Sequence, residues 1–287
     1  MPSEMTSSTA YAIRGRIGPG PASGFYAAPQ RYQLYLSRSC PHCLRIAVTH
    51  SLLSLGETVP LTLLPALPDA AGGYAALAPL YEATWHGHAG PAAAPVLSDG
   101  WTGRIVSNHA PDIMRDLAVR FRGSGPELYP AAADAEIGAM TRFLDEDLTA
   151  AAQRAGRHDG ESVEALRTLF SALHRVEDIL ADQPFLMGEE LTAADVHLWV
   201  ALLELDTVHR WHLDAAAVHR IADRTRLWSY ARRLRDEPAF HEHLCVEDIE
   251  RSHHHRCRGR EAAGAAVAII DWTPSCVPAS PPASPHL

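Results

Sequence analysis

The chain has 287 residues, of which 47% are hydrophobic and 21% charged, so it is long enough for two domains and apolar enough for a packed core. Its net charge of −9 argues against nucleic acid and anionic membranes as partners. All 25 basic residues are arginine, which excludes a Schiff-base lysine and the phosphate-binding lysine of a P-loop.

The first 30 residues predict an irregular arm, because glycine and proline recur there without hydrophobic periodicity. No secretory signal is visible, and no apolar run approaches the roughly 18 residues of a membrane span. The five cysteines, an odd number, fit a reducing compartment better than a disulfide framework. We therefore expect a cytoplasmic protein.

A strand followed by a helix is predicted around Cys40. Apolar residues alternate at Tyr32, Leu34 and Leu36, and a helical pattern follows the Cys40-Pro41 pair. Proline suits the first position of a helix, so the thiol lies beside the unpaired N–H groups of a helix start. Those groups stabilise a thiolate, and we expect Cys40 to be a nucleophile with a lowered pKa.

Three interpretations of the Cys40-x-x-Cys43 pair follow from the residues alone. The pair would suit a thioredoxin-like redox or thiol-transfer site, half of a zinc site, or an inert buried pair. The other half of a zinc site would have to come from the tail residues His253, His254, His255 and Cys257. The agreement of strand, turn, proline and helix favours the redox or thiol-transfer site, with Cys40, Cys43 and His42 as catalytic candidates and no metal. A positively charged His42 would favour the neighbouring thiolate.

The elements that follow complete a thioredoxin-like plan over residues 31–122. A second strand is predicted at 59–64, a long loop at 65–90, a third strand from Ala94, and a hairpin partner at 104–106. Ser107-Asn108 and Pro111 then predict the start of a helix.

A second, all-helical domain is predicted for residues 123–256, with a linker at 123–130 and helices alone after it, followed by an irregular tail at 257–287. Thr192 and Asp195 have the spacing of a capping box, in which each end of the motif hydrogen-bonds the other. The predicted fold class is α/β plus all-α: a thioredoxin-like domain followed by a helical-bundle substrate domain.

Several motifs together resemble the glutathione transferase superfamily. They are Cys40-Pro41, Pro95-Val96-Leu97, Ile105-Val106-Ser107-Asn108 and Gly188-x-x-x-Thr192-x-x-Asp195. Within it the chain is most similar to the xi class, the glutathionyl-hydroquinone reductases. That similarity lies in residues 25–40, 105–115, 128–130 and 221–230 and in a tail motif at 272–278.

The resemblance implies a mechanism and a set of binding residues. In that family the helix-start cysteine, here Cys40, takes glutathione off a glutathionyl-hydroquinone, and a second glutathione releases the mixed disulfide. Pro95 matches the family's cis-proline, and the backbone of the residue before it, here Ala94, pairs with the thiol peptide. The resemblance also implies a homodimer and a quinone-like aromatic substrate.

The chain departs from the family pattern at positions that hold the ligands. His42 replaces a tryptophan, Cys43 is additional, Pro91 replaces an arginine, and the Ser107-Asn108 turn continues with His109-Ala110 instead of Glu-Ser. Each lost ionic or hydroxyl group would weaken binding by about 1–3 kcal/mol, so we expect poor affinity for glutathione itself. The thiol-binding candidates are Ala94, Pro95, Ser107, Asn108 and His109.

Histidines also replace tyrosines that the family uses near its aromatic substrate. They are His209, His253 and His254, and we take His209, His212 and His254 as substrate-binding candidates. The leading hypothesis is Cys-dependent transfer or reductive removal of a low-molecular-weight thiol on a quinone-like substrate. The alternatives are a tailoring or isomerising enzyme that uses Cys40 and histidines without glutathione, and a non-catalytic binding protein, which the exposed thiol at a helix start disfavours.

The role of Cys43 has two interpretations. One turn from Cys40, it would resolve a mixed disulfide by forming an intramolecular disulfide. It would equally pack as a small apolar residue on the inner face of the helix.

Overall fold

The computed structural model describes residues 12–121, 123–157, 159–257 and 267–273. Its sheet has four strands: β1 Tyr32–Ser37, β2 Leu61–Leu64, β3 Val96–Asp99 and β4 Arg104–Ser107. The strand order is β2-β1-β3-β4, with β2 parallel to β1 and the other two pairs antiparallel. This is the thioredoxin-like plan that the sequence predicts.

Helices follow the strands and then form the rest of the chain. They are α1 Pro41–Leu52, α2 Ala78–Thr84, α3 Ala110–Arg120, α4 Asp134–Phe143, α5 Ala150–Ala155, α6 Ser162–Asp182, α7 Ala193–Thr207, α8 Ala215–Ala222, α9 Thr225–Arg235, α10 Pro238–His241 and α11 Val246–Cys257. A π-helical turn, Leu144–Thr149, joins α4 to α5. Over the residues that the structure describes, none of these helices is long and apolar enough to cross a membrane.

The sheet has a hydrophobic layer on each face. Leu34 and Leu36 of β1 are almost fully buried in one hydrophobic cluster with residues of α1 and α3, because alternate residues of a strand share one face. On the other face Val96 and Ile105 pack against Tyr81 of α2. The start of α1 thus follows directly from a strand in a sheet that is packed on both faces.

The expected loop at 65–90 is wrong in part, because it contains α2. Prolines and glycines surround this segment and suggested irregular chain. Pro79, however, lies in the first turn of α2, where its missing N–H leaves no hydrogen bond unmade. The remainder of the segment includes a short 3₁₀ turn at Ala75–Leu77. Part of it lines a cavity beside Cys40.

The central helix of the second half is α7, and nearly every residue in it is buried. Its start carries the expected capping box: the Asp195 carboxylate accepts hydrogen bonds from the Thr192 N–H and hydroxyl at 2.9 and 3.0 Å. Within the described part of the chain, residues after 123 form helices and connections only, apart from an isolated bridge between Phe185 and Gly188.

The terminal segments dock on the two halves. In the N-terminal arm Arg14 pairs with Asp112 and Arg16 with Asp116 of α3. Residues 267–273 pack against α7. Residues 1–11 of the predicted arm, and residues 258–266 and 274–287 of the predicted tail, lie outside the described residues, and the predicted domain boundaries remain predictions.

Candidate active site

Cys40 lies in the short connection between the end of β1 and the start of α1. It is the residue immediately before the helix, with extended backbone angles (φ −96°, ψ 121°), and Pro41 is the first helical residue. Its carbonyl accepts the N–H of Leu44 at 2.9 Å, which closes the first turn of the helix. The half-buried thiol therefore faces the open N–H groups of α1, as the sequence predicts.

The pKa of Cys40 is lowered to about 6, and the largest cause is a hydrogen bond from the Cys43 thiol. Burial opposes this, whereas the positive charge of His42 and the backbone N–H groups of His42 and Cys43 favour the thiolate. The lowered pKa of Cys40 agrees with the expectation from its position at a helix start. Its main cause, however, is the Cys43 side chain, which that expectation did not include. At neutral pH Cys40 is largely a thiolate.

The pKa of Cys43 is shifted in the opposite direction. It is 1% exposed in the core beneath α1, and burial raises its pKa well above that of an ordinary thiol. Its proton is therefore retained and donated to the Cys40 sulfur. This asymmetry suits an attacking thiolate beside a second thiol, and it also suits simple packing, so the two interpretations of Cys43 both remain predictions.

A cavity of about 790 Å³ opens beside Cys40. Three parts of the chain enclose it: the start of α1, the loop after β2, and the helical half. The lining residues from these parts include Ser39, Cys40, Pro41, His42, Leu67, Pro68, Tyr74, Val200, Leu203, Glu204, Val208, His209, His212, Ile249, His253, Arg256 and Cys257. The lining combines apolar side chains with many polar and titratable ones, so it suits a ligand that has both an aromatic body and polar groups.

Glu204 is a cavity residue that the sequence reasoning missed. Burial raises its pKa to about 7; the Cys40 thiolate adds to this, while Arg45 and Arg256 oppose it. A carboxyl group near half-protonation at neutral pH can donate or accept a proton. The available signal was a single acid within the otherwise apolar Val200–Leu205 stretch of α7.

Tyr74 also escaped prediction, because it lies in the segment expected to be loop. Its hydroxyl is hydrogen-bonded to the Ser37 side chain near Cys40, and burial raises its pKa.

The structure brings two of the three predicted substrate-binding histidines to the cavity. His209 and His212 line it, but His254 does not. His254 is exposed, with its ring 5.8 Å from that of Trp211. The preceding residue of α11, His253, does line the cavity, since consecutive helical residues point about 100° apart.

His209 differs from the other cavity histidines. It is only 6% exposed, and its Nε2 has no hydrogen-bond partner among the described residues. Burial lowers its pKa to about 3, with His212 and His253 adding to the effect. The imidazole is therefore neutral at physiological pH.

The five predicted thiol-binding residues lie outside the cavity lining. The Ala94–Pro95 peptide is cis, as expected. Ser107 is buried, and its hydroxyl accepts the N–H of His109 at 3.1 Å. His109 precedes α3 and places Nδ1 3.0 Å from the Asp112 carboxylate.

Asn108 is engaged by the protein itself. Its side-chain oxygen accepts the N–H of Ile13 at 2.8 Å, and its amide donates to the Tyr81 hydroxyl at 3.1 Å. Part of the surface expected to hold a thiol peptide is thus tied to the N-terminal arm.

Comparison with known proteins agrees with this architecture. The glutathione S-transferase C-terminal domain model matches residues 130–233. Glutathionyl-hydroquinone reductase YqjG of Escherichia coli is 27% identical over 90% of this chain and 84% of its own length. Glutathionyl-hydroquinone reductase PcpF of Sphingobium chlorophenolicum is 28% identical over 70% of each protein.

Solved structures give the same result. The xi glutathione S-transferase of Phanerochaete chrysosporium superposes with a TM-score of 0.73 at 27% identity, over 84% of this chain and 90% of the other. The glutathione-bound structure of YqjG gives a TM-score of 0.74 at 26% identity, over 85% and 87%. The chain is similar to members of the glutathione transferase superfamily, and within it to xi-class enzymes and glutathionyl-hydroquinone reductases.

Proposed function

We propose that this protein is an enzyme of the glutathionyl-hydroquinone reductase type, in which Cys40 removes a thiol from a quinone-like aromatic thioether. The observation that carries the proposal is a cysteine with a pKa of about 6 on the wall of a cavity of about 790 Å³. The relatives named for this reaction support the substrate class.

The reaction balances in two steps. The Cys40 thiolate attacks the thioether sulfur; an S–S bond forms, the aryl C–S bond breaks, and the aryl carbon takes the electron pair and a proton. A low-molecular-weight thiolate then attacks the mixed disulfide, which restores the Cys40 thiolate and releases a disulfide. The sulfurs are oxidised and the aromatic ring is reduced.

Glu204 is the proposed proton donor for the aryl carbon. It lines the cavity with Cys40, and about half of it carries a proton at pH 7. Raising a carboxyl pKa by burial is a common way to provide a general acid at neutral pH.

Cys43 is proposed to resolve the mixed disulfide when the external thiol is scarce. Its thiolate would attack Cys40 Sγ, release the bound thiol and leave a Cys40–Cys43 disulfide, which two equivalents of cellular thiol would reduce. Cys43→Ala should then accumulate a Cys40–thiol adduct that is visible by intact mass, whereas the wild type should not. Equal release from both proteins would mean that Cys43 only packs.

Reduced glutathione is expected to serve poorly as the releasing thiol. The family's Glu-Ser pair is replaced here by His109-Ala110, and Asn108 is held by the N-terminal arm. The glutathione complex of YqjG still makes glutathione the first thiol to test.

The decisive experiment uses a glutathionyl-hydroquinone, the cysteine conjugate of the same hydroquinone, and the free quinone. Wild type with added thiol should release hydroquinone from a conjugate. Cys40→Ser should lose turnover and keep its circular dichroism spectrum. Undiminished turnover in Cys40→Ser would exclude the thiol mechanism.

A second candidate is a tailoring or isomerising enzyme that needs no thiol cofactor. It is favoured by the histidines of the cavity and by the position of the predicted thiol-binding residues outside the cavity. Cys40 would add reversibly to an unsaturated substrate while histidines exchange protons. Turnover of the free quinone without added thiol distinguishes it from the first candidate.

The protein is also proposed to be a cytoplasmic two-fold dimer, as the resemblance to the xi class implies. Sedimentation at micromolar concentration should give twice the chain mass of 31.2 kDa. A monomeric mass under those conditions would contradict the dimer.

A further inference from the structure

Three side chains of metal-binding type converge on one wall of the cavity. The Cys257 sulfur lies 3.3 Å from His212 Nε2 and 3.3 Å from His253 Nδ1. The three groups can place one ligand atom each within 4.8 Å of the others. All three residues contribute to the lining of the cavity.

The local fold explains this convergence. His253 and Cys257 are four residues apart on α11, so they occupy the same helical face. His212 ends a 3₁₀ turn that follows α7, and its ring meets that of His253 edge-on at 5.0 Å. Gly156 makes room for this approach, since a Cβ there would lie 2.6 Å from the Cβ of His212.

We propose that His212, His253 and Cys257 bind a divalent transition metal of the zinc type, with the fourth position open to the cavity. Two imidazoles and one thiolate suit Zn²⁺, Co²⁺ or Cu²⁺ far better than Mg²⁺ or Ca²⁺. Zinc–sulfur bonds of about 2.3 Å and zinc–nitrogen bonds of about 2.0–2.1 Å at tetrahedral angles separate the ligand atoms by about 3.5 Å. The sulfur–nitrogen distances here are close to that value.

The environment supplies a second, independent observation. His209 lines the same cavity, is 94% buried, and has an Nε2 without a hydrogen-bond partner among the described residues. A buried imidazole with an unused nitrogen beside a two-histidine, one-cysteine cluster is the environment that a metal and its bound water would satisfy.

This site differs from the zinc site that the sequence suggested as an alternative. In that alternative the tail residues would have completed a zinc site with Cys40 and Cys43. The interpretation favoured from the sequence was a thiol site without a metal. In the structure Cys257 and His253 pair with His212 instead. Because Cys40 is not a ligand, the proposal is independent of the proposed thiol chemistry. Binding replaces the thiol proton of Cys257 and releases it to solvent.

The test uses the full-length reduced protein after treatment with a chelator. Zn²⁺ should bind with one equivalent at micromolar or tighter affinity in a competition titration against a chromophoric chelator. Co²⁺ should give the near-ultraviolet thiolate charge-transfer band and the visible bands of a tetrahedral ion. Cys257→Ala and His253→Ala should each weaken Zn²⁺ binding at least about 100-fold.

Matched controls separate this site from other thiols and histidines. Cys245→Ala, Cys40→Ser and His86→Ala, which removes an exposed imidazole outside the cavity, should keep Zn²⁺ affinity and the cobalt spectrum. Loss of binding in Cys40→Ser with retention in Cys257→Ala would assign the metal to the catalytic pair and overturn the proposal. Failure of the wild type to bind Zn²⁺ at micromolar concentrations would overturn it as well.

Discussion

At the scale of single residues, the reactivity of Cys40 depends on its neighbour one turn away. The Cys43 thiol stabilises the thiolate more than the backbone N–H groups of the helix start do. The sequence singled out Cys40 as the candidate nucleophile because a Cys-Pro pair between strand and helix constrains the local geometry. It could not rank the causes, since these depend on side-chain positions.

Cys43→Ala should therefore raise the pKa of Cys40 from its value of about 6. A hydrogen bond to a charged group is worth about 1.5–3 kcal/mol, so the rise should be about one unit or more. His42 and the backbone N–H groups remain and keep the thiol more acidic than an ordinary one. The rate of iodoacetamide alkylation at Cys40, followed by mass against pH, measures this value. Cys245→Ala is the matched control, and an equal pKa in both variants would contradict the role of Cys43.

Loss of the Glu204 proton should produce the alkaline limb of the profile of turnover against pH. Its pKa of about 7 means that the acid form, which donates the proton, is lost as pH rises through 7. The Cys40 thiolate appears as pH rises through about 6. Turnover by the proposed mechanism should therefore peak between pH 6 and 7.

Glu204→Gln should remove the alkaline limb and lower kcat at the optimum by about 100-fold or more, as expected for loss of a general acid. Alkylation of Cys40 should continue, because the thiolate does not need this acid. The exposed Glu146→Gln is a matched control that should leave the profile unchanged. A Glu204→Gln profile with both limbs intact would assign the alkaline limb to another group.

At the scale of elements, the start of α7 illustrates a motif whose structure follows from its sequence. Asp195 is fully buried, and it accepts hydrogen bonds from the Leu186 N–H and the Tyr230 hydroxyl, both at 2.8 Å, besides those from Thr192. The capping box predicted the bond to Thr192. The partners on distant segments could not be found from spacing.

Asp195→Ala should lower the free energy of unfolding by about 3–5 kcal/mol, because it leaves several buried donors without an acceptor. Tyr230→Phe removes one of these hydrogen bonds and should cost about 1.5–3 kcal/mol. Urea titrations of both variants measure the difference. If Asp195→Ala does not fold, Tyr230→Phe still reports on the network, and wild-type stability in Tyr230→Phe would contradict the predicted contribution.

The sequence failed to predict two elements, for different reasons. Helix α2 is short and contains Pro79, so it is missed when proline is taken to interrupt a helix. The π-helical turn Leu144–Thr149 keeps an apolar stripe that looks like ordinary helix. Strands and long helices were predictable because their burial follows a regular period, as in β1.

At the scale of the whole molecule, the cavity exists only because distant segments meet. Cys40 comes from the thioredoxin-like half, Tyr74 from a connecting loop, and Glu204 and His253 from the helical half. Sequence motifs located the first residue and the family resemblance suggested the histidines. Tyr74 and Glu204 carry no local motif, and their place beside the thiol depends on the packing of the two halves.

The last segment described, residues 267–273, is held by one buried carboxylate on α7. Asp206 is fully buried and accepts hydrogen bonds from the N–H groups of Ile269 and Ile270 and the indole N–H of Trp272, at 2.8, 3.1 and 2.9 Å. It also pairs with Arg210 at 3.1 Å. The carboxylate therefore couples the tail to the helix that carries Glu204.

Asp206→Ala should release this segment and destabilise the whole molecule. It leaves the buried Arg210 guanidinium without its carboxylate and three N–H groups without an acceptor, a loss of about 3–5 kcal/mol. Trp272, now 3% exposed and packed edge-on against Trp199 at 5.7 Å, should become hydrated, so tryptophan emission should shift to the red. Urea unfolding and fluorescence of the same samples measure both effects.

Two comparisons make this prediction specific. Asp223→Ala removes an exposed carboxylate at the end of α8 and should change stability by less than about 0.5 kcal/mol. In a Trp272→Phe background the red shift caused by Asp206→Ala should largely disappear, because the reporting indole is gone. A red shift of equal size in that background would place the structural change around other tryptophans, and stability equal to wild type in Asp206→Ala would show that the carboxylate does not anchor the tail.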